Sequence, residues 1–101
     1  MSFKQLLDGD RRLCILQSLS EAEGRSLNQD LLLKMVALYR LGVISPDELR
    51  GYLTWLEGQG LVEIEKLHPP SGELWIATLT GTGAAVAKGK RWPGVAEPAD
   101  R

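Results

Sequence analysis

A capped helix over about 46 to 58, a Gly-Leu-Val exit into an alternating run, and a short turn into a second alternating run predict an α+β fold, mainly α. That order of elements is the back half of a winged helix-turn-helix. The predicted architecture is a three-helix core, a two-stranded β-wing, and a short C-terminal helix and tail. Residues 1–96 are expected to form one domain and 97–101 a frayed end.

In chain order, Ser2 with Gln5 three residues on can cap a first helical segment carrying Phe3, Leu6 and Leu7, and Gly9 is expected to break or kink it. A main helix follows from about Asp10 to Ala22. Leu13, Ile15, Leu16 and Leu19 are its apolar positions and Gly24 lies just beyond its end. Asn28 caps another helix, Gln29 to about Leu41, whose Leu31, Leu32, Met35, Val36, Leu38 and Tyr39 make a wide apolar stripe. Gly42 is read as its stop. Val43 and Ile44 then separate it from the next cap, the short connection a helix-turn-helix needs.

Ser45-Pro46-Asp47-Glu48 begins that next helix. It offers a hydroxyl cap, a proline at the first helical position where no N–H is required, and two acids beside the positive end of the helix dipole. Glu48 completes a capping box with Ser45. Leu49, Tyr52, Leu53 and Leu56 recur on one face, and Gly58 and Gly60 end the helix, with Gly60 expected in the left-handed region.

Leu61 to Leu67 alternates after its apolar start, with Val62, Ile64 and Lys66 on one side. Glu73 to Leu79 alternates again. Between them, His68-Pro69-Pro70-Ser71-Gly72 is a turn, so the two runs form the antiparallel wing. Thr80-Gly81-Thr82-Gly83 leads into Ala84-Ala85-Val86-Ala87-Lys88, a helix with side chains so small that it must pack closely. Trp92 and Val95 are expected to dock the following tail on the domain.

The composition restricts the function. With 101 residues and 44% hydrophobic content there is material for one modest core, and a formal net charge of −1 supplies no global field toward nucleic acid or membrane. No apolar run approaches the roughly 20 residues that cross a bilayer. No basic amino-terminal region is followed by a long apolar core, so a cytoplasmic protein is expected. Cys14 is the one cysteine and falls in an apolar helix, which reads as an inert core thiol. No histidine adjoins a nucleophile and no glycine-rich phosphate loop follows a strand, so neither an enzyme nor a cofactor is expected.

The pattern from Asp10-Arg11-Arg12-Leu13 through Trp55-Leu56-Glu57-Gly58-Gln59-Gly60-Leu61-Val62 to Trp75-Ile76-Ala77-Thr78-Leu79-Thr80 and Pro93-Gly94-Val95 resembles small winged-helix proteins of Mu-like phages and prophages. These are often labelled ArsR-like transcriptional regulators. The resemblance covers residues 2 to 96 and implies a winged helix in a phage context, inside a bacterial host. Metal-sensing ArsR proteins use clustered cysteines or histidines. This chain has Cys14 and His68 alone, so no metal site is expected.

In a helix-turn-helix the second helix enters the major groove. With its leucines facing inward, the outward stripe of the helix over 46 to 58 is Asp47, Arg50, Gly51 and Thr54, extending toward Gly58. Arg50 is suited to a bidentate contact with guanine and Thr54 to a base or a phosphate, whereas Asp47 and Glu48 repel phosphates unless they accept from cytosine or orient Arg50. The wing adds Lys66 and His68. Lys88, Lys90 and Arg91 form the dense basic patch, which reads either as phosphate contacts or as cations complementing a helix C-terminus. Trp55 and Trp75 read as packing residues. Two functions follow: a DNA-binding transcriptional regulator acting on duplex DNA as a homodimer held partly by Ser2 to Leu7, or a phage assembly or DNA-packaging accessory that binds phage proteins through the same fold.

Overall fold

Four side-chain oxygens start the four α-helices of the computed structural model, which describes residues 2–99. Ser2 accepts from the Gln5 amide and caps α1 (Phe3–Glu21), and Asn28 accepts from Leu31 and caps α2 (Gln29–Leu38). Ser45 accepts from Glu48 and caps α3 (Pro46–Gly58), while Thr80 accepts from Gly83 and caps α4 (Gly81–Ala87). Ser2 and Ser45 both form full capping boxes, with the Gln5 and Glu48 side chains returning to the cap amides.

The first departure from expectation is at Gly9, which neither breaks nor kinks α1. The helix runs through it because Gly9 is buried beneath the tail: its carbonyl accepts from the Ala96 amide at 3.1 Å, and a Cβ there would stand 3.3 Å from that same nitrogen. The glycine serves a close approach of two chain segments, not a turn. Val95, beside it, is buried in the core, and Trp92 donates from Nε1 to Gln59 Oε1 at 3.0 Å, so the tail docks as expected. At its far end Glu97 pairs with Arg91 at 3.0 Å. Of the expected frayed end, Asp100 and Arg101 lie outside the described residues, as does Met1.

The second departure is the end of α2. It stops at Leu38, and the residue that turns the chain is Arg40, at φ 59°, well before Gly42. The Leu41 amide reaches back to Val36 O and the Arg40 amide to Ala37 O, both at 3.0 Å, the paired bonds of a Schellman cap. The connection to α3 is therefore longer than the sequence suggests. It buries Ile44 and leaves Val43 95% exposed. The exit from α3 uses the same cap with Gly60 at φ 76°, as the sequence predicts: Leu61 N reaches Leu56 O and Gly60 N reaches Glu57 O. Gly60→Val is expected to lower stability by about 1 kcal/mol or more, because a β-branched side chain is strained at positive φ. An unchanged thermal melting midpoint would refute this cap assignment.

The wing is a hairpin of β2 (Val62–Leu67) and β3 (Leu74–Leu79), in the register Val62 to Leu79 and Lys66 to Trp75. A third strand, absent from the sequence reading, is β1 (Ser26–Asn28). It pairs antiparallel with β3 from Ser26 opposite Thr78 to Asn28 opposite Ile76, so the sheet order is β1-β3-β2. Three residues carry too little alternation to be read as a strand, and only β3 supplies their partners. β3 turns Trp75, Ala77 and Leu79 onto the helices. There they meet Ile15, Leu16 and Leu19 of α1, Leu32 and Val36 of α2, and Leu49, Leu53 and Leu56 of α3, all fully buried helix positions, in one core that also holds Cys14.

Candidate nucleic-acid interface

With Leu49, Leu53 and Leu56 committed to the core, α3 presents Asp47, Glu48, Gly51, Thr54, Glu57 and Gly58 outward, all exposed. Nothing stands within 4 Å of where a Gly51 Cβ would lie, so the helix backbone can be approached closely there. The Thr54 hydroxyl donates back to Arg50 O at 2.8 Å, which leaves its oxygen as an acceptor on the surface.

Arg50 departs from the free base-reading cation that its outward position suggests. Its Nε and Nη2 donate to Gln29 Oε1 at 3.3 and 3.0 Å, its Nη2 donates also to Glu73 O at 2.8 Å, and its guanidinium stands 5.2 Å from the Trp75 ring centroid. The side chain thus ties α3 to the start of α2 and to the wing. Gln29 is the hub of this arrangement: it is 5% exposed, and its Oε1 also accepts from the Trp75 amide at 2.9 Å. Nothing in the sequence marks Gln29, a polar residue at a first helical position, as the organiser of a buried network.

Lys66 and His68 come to the same place. Lys66, opposite Trp75 in the hairpin, puts Nζ 4.5 Å from its ring centroid, and His68 Nδ1 lies 3.8 Å from Glu73 Oε2. Glu73 receives the Trp75 indole N–H and faces Arg50 Nη1 at 3.9 Å. The indole hydrogen bond, with the positive fields of Arg50, His68 and Lys66, holds the Glu73 carboxyl below its ordinary range. Glu73 escaped the sequence reading because it stands at a turn, and its pairing with Arg50, 23 positions away, is made only when α3 meets the wing. Of the residues singled out in the sequence, Arg50, Lys66 and His68 gather about Trp75 and Glu73, and Asp47, Gly51 and Thr54 line α3 beside them. Lys88, Lys90 and Arg91 are exposed on the separate segment after α4, where Gly89 at φ 125° turns the chain.

A second polar network, also unforeseen, braces the other side of α3. Tyr52 donates its hydroxyl to Asp8 Oδ1 at 2.5 Å and receives Arg11 Nη1 at 3.1 Å, while Arg11 Nε holds Leu41 O at 2.7 Å. Arg12 lies 3.9 Å above the Trp55 ring and donates to Gly94 O at 2.9 Å. The Tyr52 hydrogen bond holds the Asp8 carboxyl below its usual value, and burial pushes the Tyr52 phenol up. Arg11 and Arg12 are therefore structural cations, and Trp55 packs as expected. Among the described residues no group of three or more His, Cys, Asp or Glu is placed to hold a metal ion, and no helix is long and apolar enough to cross a membrane.

Comparison with known proteins places the chain. It is 37% identical over 97 residues to gp26 of Escherichia phage Mu, an uncharacterized protein, with 95% of each chain aligned. The chain belongs to the gp26 family. An uncharacterized protein of Haemophilus influenzae is 46% identical to this gp26-family chain over 67 residues, which are 66% of the chain and 64% of that relative, so the match spans less than two thirds of the relative's length. No family model matches. Among solved structures, a PadR family transcriptional regulator from Eggerthella lenta superposes with a TM-score of 0.64 at 24% identity, over 83% of this chain and 70% of that one. At that identity the likeness concerns the fold, and the gp26-family chain shares the winged helix.

Proposed function

We propose that this gp26-family protein is a phage-encoded duplex-DNA-binding regulator of transcription, acting in the cytoplasm of the bacterial host. The observation that carries this reading is the side-by-side placement of the exposed α3 stripe, Asp47, Gly51 and Thr54, and the cationic cluster of Arg50, Lys66 and His68 at the wing. Such an arrangement suits a helix in the major groove with a hairpin against the flanking backbone. Because Arg50 is tied to Gln29 and Glu73, base-edge reading falls first to Thr54 and Asp47, and Arg50 reads guanine only if it leaves those partners. Lys88, Lys90 and Arg91 add phosphate contacts. The winged-helix likeness to a PadR regulator and the Mu relationship support the reading.

Homodimerisation belongs to the same proposal. Phe3 is 79% and Leu6 53% exposed at the start of α1, an apolar end suited to pairing two copies. Selection from a random duplex pool at low salt tests both parts. The expected result is an enriched sequence made of two inverted half-sites. No enriched sequence overturns the regulator, and a single asymmetric half-site overturns the dimer.

One observation favours a second reading, an assembly or packaging accessory. The outward face of α3 carries Asp47, Glu48 and Glu57 in a chain of net charge −1, a poor complement to phosphates. Binding that selects no sequence and vanishes by about 150 mM salt is the result that supports it.

A further inference from the structure

Donors from α3, the wing turn and β3 converge on one carboxylate. Trp75 Nε1 donates to Glu73, Arg50 Nη1 stands 3.9 Å from its Oε1, and His68 Nδ1 stands 3.8 Å from its Oε2. Lys66 completes the set from the Trp75 ring. Arg50 does not depend on the Glu73 side chain for its position, because Gln29 Oε1 and the Glu73 backbone carbonyl already hold Nε and Nη2. Nη1 is the nitrogen aimed at the carboxylate.

A guanidinium, an ammonium, an imidazole and an indole N–H around one point are the groups that recognise an oxyanion. Here the oxyanion is the protein's own. The Glu73 side chain is 35% exposed and stands just before β3, so its ion pairs are screened and its carboxylate is within reach of solvent. A phosphodiester in its place keeps the same donors and adds the release of a condensed counterion.

We propose that Arg50, Lys66, His68 and Trp75 Nε1 form a site for one backbone phosphate of duplex DNA, which the Glu73 side chain fills until the duplex docks and displaces it. The site rests on the DNA-binding reading above. It makes Glu73 a competitor that weakens non-specific binding, since every sequence must displace the same carboxylate.

Glu73→Gln tests this in the full chain, because the amide oxygen still accepts from Trp75 while the competing charge is gone. Against a random-sequence duplex, the variant is expected to bind about three- to ten-fold tighter than the wild type at about 50 mM salt, with a log–log salt slope steeper by about one unit. Adding Lys66→Gln to that variant should return the slope toward the wild-type value. The Trp75 indole resonance, identified by its loss in Trp75→Phe, should move when duplex is added to the wild type. The site is overturned if the wild type binds duplex while Glu73→Gln matches its affinity and slope. It is equally overturned if the indole resonance ignores bound duplex, or if inorganic phosphate at equal ionic strength moves it as far as duplex does. If neither protein binds duplex at any salt, the DNA-binding reading itself falls and takes the site with it.

Discussion

Gly83→Ala is expected to destabilise the domain by about 3 kcal/mol or more, lowering the melting midpoint by roughly 12 °C in a chain of this size. The cause is distance. A Cβ on Gly83 would lie 2.0 Å from Leu61 O, 2.7 Å from Leu79 Cδ1 and 3.0 Å from Leu61 C. A flexible side-chain end could rotate away, but a backbone carbonyl cannot, and this one already accepts the Thr80 amide at 3.1 Å. The Thr80 hydroxyl adds a bond to Gly60 O at 2.8 Å and accepts from Gly83 N at 3.0 Å, so the start of α4 is sewn to the exit of α3 where the two backbones approach closely. Gly81→Ala is the control: its Cβ meets nothing within 4 Å, and alanine there should leave stability equal or slightly raised. Thermal unfolding followed by circular dichroism measures both. A Gly83→Ala midpoint within about 3 °C of wild type would show that α4 does not pack on Leu61 as described.

Gln29→Leu has the next largest expected effect, a loss of about 2 to 4 kcal/mol. Leucine matches the volume but removes the acceptor for three donors, the Trp75 amide and two Arg50 nitrogens. The Trp75 amide makes a buried hydrogen bond to Gln29 Oε1, so removing the acceptor leaves the amide with its desolvation cost. Arg50 can recover part of its loss by turning to water, which loosens α3 from the wing. Gln29→Glu separates the hydrogen-bond argument from packing: its carboxylate accepts from the same donors, so it should lose less than half as much. Denaturant unfolding of the two variants is the measurement, and equal losses would mean that shape, not the acceptor, is what Gln29 contributes.

These two positions differ in how far the sequence announces them. Gly83 is foreshadowed by the run of small residues through Ala84, Ala85 and Ala87, which requires α4 to lie close to something, although the partner is not named. Gln29 has no such signal, because its polar side chain is buried only by what arrives from α3 and β3. The Arg50 assignment shows the same limit from the functional side. Helical spacing correctly puts Arg50 outside the leucine stripe of α3, yet spacing along one helix cannot say that Gln29 and Glu73 will occupy its guanidinium.

Although the start of α4 lies at Gly81 and not at the expected Ala84, the sequence by itself determined the starts of α1, α2 and α3, the left-handed exit at Gly60, the wing hairpin and the inward leucines. Each depends on residues within a few positions of one another, through a hydroxyl or amide oxygen meeting an amide three residues on, or a side-chain period of two or 3.6. Only the tertiary structure decided that Gly9 carries an unbroken helix under the tail, that Arg40 ends α2, that Ser26 to Asn28 become a third strand, and that Glu73 sits among Arg50, Lys66 and His68. Apart from the cap at Arg40, whose bonds are local but whose positive φ no glycine announces, those outcomes depend on groups brought together across the chain, where the burial of one residue is set by another and no local period records it.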